Sequence, residues 1–413
     1  MLHVNVSDRR GGAAIAAYRL NAGLRNIEIN SQILAPEKTT SDKFVFSNDT
    51  LLEKATSKVV GYLDRLPLSF FETAQAYRTS LSFFSNPFFL KKINELDPDI
   101  VNLHWTCDGV LRPEFLKKIN ASIVWTMHDS WPFCGSENYT TDTARYRDGY
   151  YRHNRNNQST GLDVDRWMYK RKLRAYSKRK DMVFISPSKW LCDEALSSAL
   201  LSQYDVRHIP NGLNTELFRP IGKSVSRKVL GLPEDKKIIL FGAAGGVTDA
   251  RKGFDLLAQS LNLAARHKQG DNVLLVIYGG EAPANNQLGL PCVSLGRLND
   301  ETSLVLAFSA ADVFVIPSRM DNLPNTVLES LSCGTPVVGF NVGGMPDMIR
   351  HRSNGYIADA FSVEDLSNGI LHVLERSYTD DSMSVSARKT IMESFSIERQ
   401  ALAYQDLYQS LMT

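Results

Sequence analysis

No apolar run in these 413 residues approaches membrane-spanning length, and the opening MLHVNVSDRRGG lacks the charged head and long apolar core of a secretory leader. A cytoplasmic protein with at most peripheral contact at the inner face of the membrane is therefore expected. Cysteine is scarce. Cys107, Cys134, Cys192, Cys292 and Cys333 are odd in number and widely separated, which argues against a disulfide framework and paired metal ligands and fits a reducing compartment. Neither low-complexity tracts nor solenoid-type repeats interrupt the chain. No D-x-D triplet stands at the carboxyl end of a strand-like run, so the sequence gives no mark of a divalent-cation site. Acidic residues are missing between Arg166 and Lys180 (RWMYKRKLRAYSKRK), where eight basic side chains gather although the whole chain carries a formal charge of only +2.

The remaining composition, 43% hydrophobic and 22% charged with 26 Gly and 16 Pro, is that of a globular protein and excludes the disordered, collagenous and coiled-coil classes. The length exceeds what one hydrophobic core usually serves, so two domains are expected. Short β-rich apolar runs alternate with longer helix-patterned segments, the pattern of repeated βα units on parallel sheets. One series of strands is expected at residues 2–6, 100–104, 123–127, 183–186 and 206–209. A second is expected at 237–242, 273–278, 292–295, 313–316 and 336–340. Between them lies IPNGLNTELFRP, whose Pro-Asn-Gly punctuation marks a connection. The expected division is a domain at 1–208, a hinge at 209–220, a second domain at 221–392, and a segment at 393–413 whose helix, 397–412, packs back on the first domain.

The densest block of signals is RMDNLPNTVLESLSCGTPVVGFNVGG, residues 319–344, after the strand-like ADVFVIPS. In a parallel α/β sheet, residues just past a strand's carboxyl end face the ligand crevice, and the next helix offers its first N–H groups to an anion. Asp321 falls in that loop and Glu329 a turn into the helix. There a carboxylate can accept hydrogen bonds from two vicinal ribose hydroxyls while the loop aspartate faces a sugar. A solvated aspartate and an exposed helix glutamate are the other reading of such a pair. Upstream, FGAAGGVTDARKGFDLL (241–257) places Gly242 and a glycine-rich loop ahead of Arg251 and Lys252. A leaving diphosphate with about two negative charges and no metal needs such cations and helix dipoles, though a tight turn also explains the glycines.

Gly11 and Gly12, in SDRRGGAAIAAYRL, stand between the first strand and first helix, where small residues permit close approach of a phosphate or an acceptor, or simply make a βα turn. SIVWTMHDSWPFCGSENY (122–139) delivers His128 and Asp129 to the carboxyl end of a strand.

Taken in order, these motifs resemble glycosyltransferase family 4. Glu329 matches the second glutamate of its E-x7-E motif, which binds the nucleotide ribose. Asp321 replaces the first, which contacts the transferred sugar, with a side chain one methylene shorter. Arg-Lys-Gly at 251–253 matches the phosphate-binding Lys-Gly. Ala243 and Ala244 stand where many members carry another arginine, and Arg251 is the candidate for its role. W-T-x-H-D-x-W at 125–131 resembles the colanic-acid and capsule-type members, whose histidine lines the sugar pocket; of the cysteine cluster that follows in those relatives only Cys134 remains, which argues against a metal or disulfide there. NLHW (102–105), FISPSKWL (184–191) and IPNGLNTELF (209–218) also match, with His104 read as scaffold and Asn211 as part of the turn near the donor. Residues 38–98 and 138–165 match poorly, as expected where acceptor recognition varies.

The resemblance implies GT-B architecture, two Rossmann-like domains whose parallel sheets face across a cleft, and a retaining, metal-independent transfer without cofactor. It implies catalytic roles for His128, Lys252, Asp321 and Glu329. Donor binding is expected from Gly11, Gly12, Asn211, Gly242, Arg251, Lys252, Gly279, Arg297, Leu298, Asn322, Leu323, Pro324, Asn325, Thr326 and Glu329, with 343–349 closing the pocket. The donor is a UDP- or GDP-linked sugar. The acceptor is a saccharide or polyprenyl-diphosphate-linked saccharide of bacterial exopolysaccharide or capsule synthesis, and no nucleic acid is involved. The basic stretch, with Trp167, Met168, Tyr169 and Tyr176, reads either as a contact with anionic membrane or as a solvated helix face. A sugar-nucleotide 2-epimerase and a non-catalytic sugar-nucleotide-binding homologue are the alternatives.

Overall fold

The computed structural model describes residues 1–48, 50–66, 79–140, 144–155, 161–242, 249–265, 272–281 and 288–412. The chain divides into two compact units, Met1–Pro210 with Gln400–Thr413, and Asn211–Arg399.

The first unit is built on seven strands, β1 (Leu2–Val4), β2 (Gln32–Leu34), β3 (Val45–Phe46), β4 (Ile100–Leu103), β5 (Ser122–Thr126), β6 (Val183–Ser186) and β7 (Asp205–His208). They lie in the order β3-β2-β1-β4-β5-β6-β7, and each pairing is parallel. The central strands are covered on both faces, which is why they read as largely apolar instead of alternating, with His3 and Asn102 as buried polar members. The order reverses between β1 and β4, so their carboxyl ends flank the crevice in which open α/β sheets bind ligands.

The second unit repeats the plan with β8 (Lys237–Gly242), β9 (Val273–Tyr278), β10 (Cys292–Ser294), β11 (Val313–Ile316), β12 (Val337–Phe340) and β13 (Gly355–Ala358), ordered β10-β9-β8-β11-β12-β13 and again parallel. Alternate side chains enter opposite cores. Ile238, Leu240, Val276 and Phe314 join one, while Ile239, Phe241, Leu275 and Val315 join the other. Each such side chain contributes about 1.5–3 kcal/mol on full burial. The order reverses between β8 and β11.

The ten expected strands all form, with ends displaced by at most two residues. Strand β12 starts one residue later than expected because Pro336 has no N–H to give; its carbonyl still accepts from Phe314 N at 2.9 Å. Strands β2, β3 and β13 were not expected. Spans of two to four residues leave no period to read.

The last helix, Ile397–Met412, lays Ala401, Tyr404, Leu407 and Tyr408 against Leu20, Leu24, Ile100 and Val124 of the first unit. Its two tyrosine hydroxyls close a buried network. Thr126 donates to Asn102 Oδ1 at 2.9 Å, so the 2.8 Å contact between Tyr404 and Thr126 has Tyr404 as donor, and Asn102 Nδ2 donates to Tyr408 at 3.0 Å.

The basic stretch forms the helix Val164–Tyr176 and the turn after it, and it is not uniformly outward. Arg171 grips Glu114 and donates to the carbonyls of Leu81 and Ser82. Arg179 donates to three carbonyls, of Leu116, Ile119 and Ala121, and Lys172 is fully buried. Met168 and Tyr176 are buried as well, so neither side chain reaches a surface. Lys170, Arg174, Lys178 and Lys180 remain exposed, as does Trp167.

Candidate functional site

In the second unit the loops after β8 and β11, the two strands at the reversal point, are stitched together. Arg319 N donates to Arg251 O at 2.8 Å, Arg251 donates to Met320 O at 3.1 Å, and Arg319 donates to Ala250 O at 2.7 Å. Gly253, at φ +67°, lies so close to Pro317 that an added Cβ would come within 2.0 Å of its carbonyl oxygen. This approach brings three sequence-predicted residues onto one oxygen. Lys252 Nζ lies 2.6 Å and Arg251 3.2 Å from Asp321 Oδ2. Burial works most strongly against ionisation of Asp321, yet Lys252 and then Arg251 outweigh it and hold the carboxyl below its ordinary range. Asp321 is the only hydrogen-bond partner of the Lys252 ammonium among the described residues, and an ammonium has three donors, so two remain for an anion.

The segment behind Asp321 is fixed by Gly343 and Gly344. Gly344 N donates to Asp321 O at 3.2 Å, and a Cβ on Gly343, which has φ +53°, would sit 2.0 Å from the same carbonyl. The helix Asn325–Ser332 starts four residues beyond Asp321, with Pro324 at its cap, and directs its first N–H groups to the carboxyl end of the sheet. Asn322, Leu323 and Pro324 are buried, Asn325 and Thr326 half-buried. Glu329 is in the second turn of that helix and buried rather than exposed. Its carboxylate approaches Tyr278, whose phenol is pushed well above its ordinary value by burial first and by Glu329 second.

The other expected donor residues fall into two groups. Gly279, at φ +88°, donates its N–H to Gly296 O at 2.7 Å, so the turns after β9 and β10 are joined where Arg297 and Leu298 follow. Gly242 has a packing reason to be glycine, since a Cβ there would come within 2.0 Å of the Tyr278 ring. Ala243 and Ala244, with the glycines after them, lie outside the described residues. Asn211, buried, opens the second unit just before Leu213, which pairs with Ser396.

In the first unit, Gly11 takes φ +93° with open space around its Cβ position, and Gly12 begins the helix Gly12–Asn26. His128 follows β5, half-buried, and its Nε2 lies 3.0 Å from His104 Nδ1. Burial depresses its pKa to about 4, so the ring is neutral at pH 7. Asp129 beside it is an organiser. One oxygen accepts from Trp105 Nε1 and Asn138 Nδ2 and the other from Trp131 N. The loop after it is clamped by Lys172, which donates to the carbonyls of Trp131, Cys134 and Gly135. Burial pulls this lysine's pKa down to about 7. Cys134 is buried and its thiol is pushed well above its usual range, chiefly by burial. Sequence reasoning missed Lys172 because a lysine in a basic run carries no sign of burial. It also missed His3, whose signal was a histidine inside an apolar strand.

The family described as Glycosyltransferase Family 4 matches residues 10–217, half of the chain, and that described as Glycosyl transferases group 1 matches residues 222–390. A D-inositol 3-phosphate glycosyltransferase of Saccharomonospora viridis is 29% identical over 222 residues, 50% of either chain. That of Mycolicibacterium smegmatis is 32% identical over 197 residues, 44% of this chain and 42% of the other. The chain thus spans about half the length of the curated relatives it matches. Among solved structures, the catalytic domain of starch synthase IV from Arabidopsis thaliana, bound to ADP and acarbose, superposes with a TM-score of 0.66 at 15% identity, covering 100% of this chain and 99% of the other. Anabaena HepE in complex with UDP and glucose gives 0.64 at 15%, covering 99% of both chains. With two reversed-order parallel sheets and these matches, the chain belongs to glycosyltransferase family 4 and has the GT-B fold.

Proposed function

We propose that the protein transfers a sugar from a nucleotide diphosphate donor to a saccharide or lipid-linked saccharide acceptor, with retention of anomeric configuration, in the synthesis of a bacterial surface polysaccharide. The observation that carries this reading is the meeting of Arg251, Lys252 and Asp321 at the reversal point of the second sheet. The free donors of Lys252 and the N–H groups opening the helix Asn325–Ser332 suit a departing diphosphate, Asp321 the sugar, and Glu329 the ribose. The relatives' names and the UDP and ADP bound in similar folds support a nucleotide-sugar donor.

In the reaction an acceptor hydroxyl oxygen forms the new bond to the anomeric carbon as the bond to the diphosphate breaks. The electron pair leaves on the phosphate oxygen, and the hydroxyl proton passes to that oxygen on the same face of the sugar. No enzyme nucleophile and no resident metal enter this scheme. His128, neutral at pH 7, positions the sugar.

The test is a panel of UDP- and GDP-linked sugars, read by thermal shift and by release of free nucleotide, with the anomer of the product assigned by NMR. Binding and transfer with retention are expected, both abolished in Glu329→Ala. A free epimerised sugar as sole product, or no turnover of any donor, would sink the reading. The exposed Trp167, Lys170, Arg174, Lys178 and Lys180 support contact with an anionic bilayer. Flotation with liposomes should then rise with anionic lipid content, and flotation indifferent to it rejects the contact.

A further inference from the structure

Three histidines of the first unit form one continuous chain. His3, in the middle of β1 and fully buried, places its Nδ1 2.8 Å from His104 Nε2. The Nδ1 of that same His104 ring, just past β4, lies 3.0 Å from His128 Nε2. Ring centroids stand 5.0 and 5.2 Å apart, the N···N distance plus two ring radii, so the rings meet edge to edge through their nitrogens. The two ends differ. His3 Nε2 is buried and has no partner among the described residues, whereas His128 Nδ1, also without a partner among them, belongs to the one half-buried ring.

We infer that His3 and His104 are positioning residues that fix His128 as an Nδ1–H donor, so the first unit offers its ligand a hydrogen-bond donor aimed at a sugar oxygen and not a base. The argument is a count of protons. A neutral imidazole has one N–H and one lone pair, and each of the two contacts needs one of each. If His104 carries its proton on Nδ1, His3 must donate from Nδ1 and His128 must accept at Nε2, leaving the proton of His128 on Nδ1. If His104 carries it on Nε2, all three rings reverse, and His3 must hold an N–H on Nε2 inside the core with no acceptor.

Buried N–H groups without acceptors are rarer in proteins than bare acceptors, and only the first arrangement avoids one. Neutrality of the chain is supported by burial, which depresses His3 to about 3 and His128 to about 4 and takes His104 well below its ordinary value. A tautomer set by the hydrogen bond at the opposite ring nitrogen is how histidines are commonly oriented. The choice of a sugar oxygen as ligand rests on the glycosyl-transfer reading; the tautomer does not.

The full chain, labelled with 15N-histidine, tests this by long-range 1H–15N correlation at pH 7 without substrate. His3, His104 and His128, assigned through the His3→Gln, His104→Gln and His128→Gln variants, are expected as neutral rings protonated on Nδ1. His128 protonated on Nε2, or as an imidazolium, overturns the inference whatever the enzyme assays give. His104→Leu should release the tautomer of His128 and raise KM for the donor about tenfold with a smaller change in kcat. His104→Gln, whose amide both donates and accepts, should recover most of that loss. An unaltered His128 tautomer in a folded His104→Leu protein also overturns it. Failure of every donor to bind would instead remove the glycosyl-transfer reading and leave the tautomer result standing.

Discussion

Replacing Lys252 by methionine keeps the length of the side chain and removes its charge, and the surroundings of Lys252 allow two consequences to be separated. Nζ lies 2.6 Å from Asp321 Oδ2, with side-chain exposures of 19% and 14%, so the pair is largely shielded from water. Removing one partner of a buried pair costs about 3–5 kcal/mol. Arg251 stays 3.2 Å from the same oxygen, which reduces the expected loss to about 1–3 kcal/mol. The catalytic loss is separate. A positioned donor to charge that develops on a leaving group is worth about 2.7–4 kcal/mol, or about 100- to 1,000-fold in turnover. Lys252→Met should therefore show both a lower melting temperature and at least about a hundredfold slower release of nucleotide diphosphate from its donor. Adding Asp321→Asn removes the stranded carboxylate, so the double variant should regain most of the stability and none of the turnover. Thermal unfolding and a coupled assay for free nucleotide read the two quantities. Turnover within threefold of wild type in Lys252→Met, or turnover that returns with stability in the double variant, would refute the electrostatic account.

Gly343→Ala should cost about 1–3 kcal/mol in urea unfolding and slow turnover, because a Cβ at φ +53° would displace the carbonyl of Asp321; unchanged unfolding and activity would show that the loop yields freely. Lys172→Met strands three carbonyls of the loop after His128, and a loss of about 3 kcal/mol or more is expected, measured by chemical denaturation. Acid should weaken the protein before the carboxylates titrate. His3 is depressed from 6.5 to about 3, so above pH 6.5 it is neutral whether folded or not, and below that the unfolded chain takes up a proton that the folded one refuses. At pH 5 this amounts to about 2 kcal/mol. Melting temperatures at pH 7 and 5 should converge in His3→Gln relative to wild type, and an equal fall in both proteins would contradict the assignment.

Much of this protein was readable from its residues, for identifiable reasons. Strands such as Val273–Tyr278 and Val313–Ile316 are covered on both faces, and burial of that kind leaves an unbroken apolar run. Asp321, Lys252 and Glu329 were legible because strand, loop and helix succeed one another at fixed spacing. Their mutual contact was not, since Lys252 and Asp321 are 69 residues apart in sequence and meet through the reversal of strand order. Strands β2 and β3 were invisible at three and two residues. The basic helix misled in another way. A run of like charges suggests one solvated or membrane-facing surface, yet the helical turn sends Lys172 into the core and Arg171 onto Glu114 while Lys170 stays outside. His3 stood out as a histidine in an apolar strand, but its contact with His104 could not be read because the two are 101 residues apart.

The helix that ends the chain has a consequence for how the protein is made. Asn102 and Thr126 leave the ribosome 306 and 278 residues ahead of Tyr408 and Tyr404, the side chains that complete their buried network. At about 5–20 residues per second that is a wait of roughly 15–60 s. The second unit has no such debt, since Asn211–Arg399 is one uninterrupted stretch. Its assembly can finish first, and the amino-terminal half, although synthesised earlier, is the last to be sealed.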